Sequence, residues 1–163
     1  MAEDNKGNIW IGGDAIVRWN SMYQKIDTSI EHLPTQQNFK KGYYVMTDSK
    51  GDVWTTVNDD GLVKLTGNPI HLRPNNLTQE KSSFMHPALF NDKIFVFTTK
   101  GAGHFDIKNL KSIAFTEKDG IPSGPTSTAY FAHDKEDGSV WFGIRDVLCR
   151  FPVSLSSNYG SPP

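Results

Sequence analysis

The chain has 163 residues, 17 Lys plus Arg against 18 Asp plus Glu, and a formal net charge of −1. That balance, with Lys40-Lys41 as the longest basic run, argues against a nucleic-acid partner held by bulk charge. One cysteine, Cys149, excludes an internal disulfide, no apolar run reaches the ~20 residues of a membrane helix, and Met1-Ala2-Glu3-Asp4 does not read as a secretion leader.

In chain order, Ala2-Glu3-Asp4 reads as the end of a strand. Asp4-Asn5-Lys6-Gly7-Asn8-Ile9-Trp10-Ile11-Gly12 follows, a turn and then a short apolar strand. Asp caps its own turn through an Asx contact, and Gly supplies positive φ. A tight turn at Gly13-Asp14 leads to a strand over 16–19 and an outer strand over 23–26. The stretch 20–32 is the best helix candidate, but its apolar spacing is poor, so no helix is expected. An inner strand is expected over 42–47.

The same pattern then returns as Asp48-Ser49-Lys50-Gly51-Asp52-Val53-Trp54-Thr55-Thr56, followed by a turn at 58–61, a strand over 62–65 and an outer strand over 70–72. A third copy has an inner strand over 84–90 and a weaker motif, Asn91-Asp92-Lys93-Ile94-Phe95-Val96-Phe97-Thr98-Thr99. It continues with a turn at 100–103 and strands over 104–107 and 112–115. The fourth has an inner strand over 127–133, then Asp134-Lys135-Glu136-Asp137-Gly138-Ser139-Val140-Trp141-Phe142-Gly143, with one residue inserted in the turn. A turn at Arg145-Asp146 and a strand over 147–151 complete it.

The anchors Trp10, Trp54, Phe95 and Trp141 recur at roughly 41–46-residue spacing, the period of propeller blades built from short strands. The fold class is therefore all-β: four-stranded antiparallel sheets forming an incomplete β-propeller arc of about four blades. Repeats fall near 1–41, 42–82, 83–125 and 126–151, and a tail rich in Ser, Asn and Pro runs over 152–163. An arc this short leaves two apolar blade faces uncovered, because propellers hide their sheet edges by closing. The expected partners are the remaining blades of a larger ring or a second copy of the chain.

The repeats resemble the two-component-regulator propeller family, whose pattern is Asp-x-x-Gly-Asn-[Ile/Val]-Trp-[Ile/Phe]-Gly-Thr-x-x-Gly-Leu-x-Arg-[Phe/Tyr]. Residues 4–12 stand close to it. Phe115-Thr116-Glu117-Lys118-Asp119-Gly120-Ile121-Pro122-Ser123 is similar to that family's connector between blades. Two departures stand out: the third repeat lacks the Trp and the Asp-x-x-Gly, and the fourth has no Gly between Arg145 and Val147. The resemblance implies a periplasmic, non-enzymatic sensor segment of a two-component receptor for an oligosaccharide. Residues 152–163 would exit toward a β-sandwich outside this sequence, and any kinase activity would lie in other domains. A streptogramin-lyase-like propeller enzyme and a protein-interaction scaffold are the alternatives.

The candidate ligand residues are the turns between the two middle strands of each blade: Asp14, Asn58, Asp59, Asp60, Lys100, His104, Arg145 and Asp146. Such turns gather on one propeller face, where carboxylates and amides accept from sugar hydroxyls and Arg offers a fork of donors. A lyase would need a general base, and His104 is the histidine nearest a candidate turn. Trp10, Trp54 and Trp141 sit mid-strand and read as packing, Cys149 reads as a buried inert thiol, and the Asp-x-x-Gly segments lack the ligand alternation of a calcium loop. The five histidines show no metal-ligand spacing, and no catalytic, phosphate-binding or cofactor motif is present, so no cofactor and no metal are expected.

Overall fold

The computed structural model describes residues 1–13, 15–27, 42–57, 61–68, 70–72, 85–98, 101–122, 130–144 and 146–151. The first sheet holds β1 (Ala2–Glu3), β2 (Ile9–Ile11), β3 (Val17–Asn20) and β4 (Lys25–Asp27). The second holds β5 (Gly42–Thr47), β6 (Val53–Val57), β7 (Gly61–Lys64) and β8 (His71–Leu72). The third holds β9 (Met85–Phe90), β10 (Lys93–Thr98), β11 (Gly101–Asp106) and β12 (Ser112–Phe115). The fourth holds β13 (Tyr130–His133), β14 (Val140–Ile144) and β15 (Val147–Phe151).

Strands follow chain order within each sheet and pair antiparallel. The first strands of successive sheets touch one another, β1 with β5, β5 with β9 and β9 with β13. Sheets fanning from neighbouring first strands and stacked face to face are propeller blades, and they match the sequence expectation for an open arc. The described part of 20–32 is a turn leading into β4 rather than a helix. Among the described residues the one helical turn is a short 3-10 segment, Glu117–Asp119, closed by Gly120 at φ 80°.

Side chains alternate across each strand, so every blade has one face toward its predecessor and one toward its successor. Trp10 and Ile16 meet Val53, Val63 and Leu65 between blades 1 and 2. Trp54, Leu62 and Leu72 meet Ile94, Val96 and Phe105 between blades 2 and 3. Phe97, Ala102 and Phe115 meet Phe142 and Ile144 between blades 3 and 4. The middle blades are buried on both faces, as β10 shows from Ile94 to Thr98. The outer blades are not. In β14 burial alternates, leaving Trp141 half-buried, and Leu148 beside it is 70% exposed. Blade 1 likewise leaves Ile26 64% exposed, with Ile11 and Trp19 also at the surface. Among the described residues no following blade packs against the face that carries Trp141. Cys149 is half-buried in the last seam, and burial pushes its thiol pKa up.

The Asp-x-x-Gly turn does more than reverse the chain. Asp4 Oδ1 accepts from the N–H of Lys6 and of Asn8, while Oδ2 accepts from Trp10 Nε1 at 2.8 Å. Asp48 repeats this with Lys50, Asp52 and Trp54 Nε1, again at 2.8 Å. Burial would raise Asp4, but the hydrogen bonds from Trp10, Asn8 and Lys6 outweigh it and hold the carboxyl below its usual range. A carboxyl lowered on folding adds stability above its unfolded value of about 3.9, which is lost as pH falls through the lower folded value. In blade 3 neither partner is present. A two-residue turn with positive φ at Asn91 (49°) and Asp92 (59°) replaces the longer loop. Blade 4 keeps Asp134 and Trp141, yet among the described residues no hydrogen bond joins them, because the inserted residue lengthens the turn.

The turns also touch each other from blade to blade. Asn5 Nδ2 donates to Lys50 O at 3.2 Å, Ser49 Oγ donates to Asp92, and Asn91 Nδ2 lies 3.3 Å from His133 Nε2. This rim is tight at Gly51, at φ 78°, where an added Cβ would sit 2.4 Å from that of Asn5. Trp54, 1% exposed, and Trp141 provide a matched pair for measuring what a seam is worth. Trp54→Ala is expected to cost about 3–5 kcal/mol in urea unfolding, and Trp141→Ala clearly less. Equal losses would contradict the burial difference between the two blades.

Candidate functional site

The turns between second and third strands lie at the opposite rim from the Asp-x-x-Gly turns. Asp14, Asn58, Asp59, Asp60, Lys100 and Arg145 fall outside the described residues. Asp146 is described and is exposed at the start of the β14–β15 turn exit. His104 is placed differently from the turn position expected of it. The hairpin turn is short, with Thr98 paired to Gly101, so His104 falls four residues into β11, opposite Phe95 on one side and Ile113 on the other. It is 7% exposed, with its ring centroid 5.1 Å from Phe95 and 6.2 Å from Phe115.

His104 belongs to a series that the sequence motif contains but that its reading passed over. Arg18 stands across from Trp10, Lys64 from Trp54, His104 from Phe95 and Arg150 from Trp141. Each precedes a large apolar residue, Trp19, Leu65, Phe105 or Phe151, and that recurrence was the available signal. Two of the guanidiniums lie over their anchors, Arg18 and Arg150 each 5.5 Å from the Trp ring centroid. Three of the four also hold a carboxylate: Arg18 with Asp27 at 2.8 Å, Lys64 with Asp52 at 2.6 Å, and Arg150 with Asp137. His104 is the exception. Burial first, and then the charge of Lys93, lower its pKa to about 4, against the opposing pull of Asp106.

Between blades 2 and 3, on the Asp-x-x-Gly rim, a cleft has charged walls and an apolar floor. Trp54, Ile70 and Ile107 form the floor, and Asp48, Asp52, Lys64, Asp92 and Lys108 stand around it. The walls are internally neutralised. Asp52 holds Lys64 and Asp92 holds Lys108 at 2.8 Å, and hydrogen bonds from Lys108 and then Ser49 lower the Asp92 pKa. Among the described residues no group of three or more His, Cys, Asp or Glu could hold a metal ion. No helix among them is long and apolar enough to cross a membrane.

No family model and no curated protein sequence matches the chain. Solved structures do. The extracellular domain described as belonging to the hybrid two-component system BT3049 from B. thetaiotaomicron superposes with a TM-score of 0.72 at 17% identity, over 96% of this chain and 22% of that one. The corresponding domain of BT4673 from the same organism gives 0.66 at 16% identity, over 92% of this chain and 20% of that one. A second structure of BT4673, described as a one-component system, gives 0.64 at 17% identity, over 93% and 19%. The chain shares their fold over nearly its whole length and spans about a fifth of theirs.

Among the described residues Asp146 is exposed and makes no hydrogen bond or ion pair. Asp146→Ala should leave stability within about 0.5 kcal/mol of the parent in thermal and urea unfolding. A larger loss would mean that this carboxylate supports the hairpin instead.

Proposed function

We propose that this chain is an arc of a ligand-sensing propeller lying outside the cytoplasm, in the input part of a two-component signalling receptor, with an oligosaccharide as its ligand. The observation that supports it most is the superposition of 96% of the chain on about a fifth of the BT3049 extracellular domain, at a TM-score of 0.72. Fold alone does not carry function, so the reading draws also on the repeat motif and on the polar turns of one rim. In this reading Asp14, Asn58, Asp59, Asp60, Arg145 and Asp146 supply acceptors and a donor fork, the groups a sugar needs. In this reading Lys100 joins them and His104 supports the wall beneath.

The role is non-enzymatic. A lyase built on this chain would use His104 as its base, and the placement of that ring between Phe95 and Phe115 supports the sensor instead. The faces carrying Ile11, Trp19 and Ile26 on blade 1, and Trp141 and Leu148 on blade 4, are in this reading covered by further blades or a second copy. The ring then passes ligand binding on as a change in how blades pack.

Thermal-shift screening against a panel of plant, host and microbial oligosaccharides is the direct test. One glycan class is expected to raise Tm, and Asp146→Ala to weaken that shift without changing the unliganded Tm. No shift across the panel, with a shift from a non-carbohydrate ligand, would overturn the oligosaccharide. Alone, the chain is expected to bind ANS or to self-associate in light scattering. A compact, dye-negative monomer would overturn the covered faces.

A further inference from the structure

In the first two seams the residue opposite the aromatic anchor is a cation with a carboxylate of its own, Arg18 with Asp27 and Lys64 with Asp52. At the same station in the third seam His104 has no such partner. Its Nδ1 is buried without a hydrogen bond. Blade 4 closes over the ring's neighbours: the centroid of Phe151 lies 4.2 Å from that of Phe115 and 6.2 Å from that of Phe95, and Phe131 stacks on Phe97 at 4.3 Å. A second histidine stands at the rim of this same seam. His133 Nε2 lies 3.3 Å from Asn91 Nδ2, and its ring stacks on Phe90 at 5.1 Å.

We propose that the seam between blades 3 and 4 is an acid-sensitive joint, shut while His104 is uncharged and loosened when it takes a proton. A charge there would enter an aromatic wall with little to receive it. The charged groups acting on it are Lys93 from β10, which repels, and Asp106 from its own strand, which attracts. From β12 it meets Ile113, and blade 4 contributes Phe131, Phe151 and the Cys149 thiol to the seam.

The direction follows from linkage. The folded value for His104, about 4, lies below the ordinary 6.5, so the opened seam takes the proton first. The joint is at full strength above about pH 6.5, weakens as pH falls, and reaches its floor near pH 4. The carboxyls of Asp4, Asp27 and Asp92 are held below their usual range, and Ser139, then Arg150, hold Asp137 down to about 2. These carboxyls therefore stay charged through most of that window.

The test is amide hydrogen exchange of the full chain between pH 7 and pH 4, corrected for the intrinsic pH dependence of exchange. Opening of β13–β15 relative to β5–β8 is expected to rise on the order of a hundredfold in the parent protein. In His104→Phe it is expected to stay flat. If Phe overfills the seam, His104→Gln, polar but untitratable, is read in the same way. An unchanged pH dependence in the His104 variants would overturn the proposal. So would loss of protection in all blades together, or an imidazole NMR titration of His104 near its ordinary value.

Discussion

The structure depends first on one carboxylate doing three things at once. In blades 1 and 2 the turn Asp accepts two backbone N–H groups of its own loop and the indole N–H of the Trp six residues on. The loop shape, the start of the second strand and the rotamer of the largest core side chain are thereby set together. Each Trp can then be almost wholly buried without leaving its indole N–H unpaired, a loss that would cost about 1–3 kcal/mol. The third repeat shows the same logic by its absence. With Phe95 in place of Trp there is no indole to satisfy, and the carboxylate and its loop give way to the tight Asn91-Asp92 turn.

Local chemistry of this kind is what a sequence displays. The turns at Asp4, Asp48 and Asp134, the strands β5 and β12, and the order of strands in every sheet follow from turn residues and short apolar runs. What depends on neighbours was less visible. Trp141 follows a β-branched residue in a short strand as Trp10 and Trp54 do, yet it is only half-buried, since burial is decided by the blade that follows and not by the strand itself. Pro87 falls inside the strand expected over 84–90, and it is tolerated there because β9 is the edge strand of its sheet beside a register shift, where a missing N–H interrupts no central ladder.

The sequence presents the candidate site only as a set of turns, most of them outside the described residues. One residue, His104, was drawn toward that set by its nearness in sequence to Lys100, and register moved it. A hairpin that pairs Thr98 with Gly101 leaves no room for a long loop, so the ring turns into the seam. The cations Arg18, Lys64 and Arg150 were hidden for the same reason. Their significance lies in which residue stands across the strand, and that is a property of pairing rather than of spacing.

The bonded rim has a mechanical meaning. Asn5 to Lys50, Ser49 to Asp92 and Asn91 to His133 tie each blade to the next at the Asp-x-x-Gly side. A stack of plates stitched along one edge opens like the pages of a book, with the stitching as spine. Blades that rock apart turn about that spine, and the strand ends away from it travel the greatest distance.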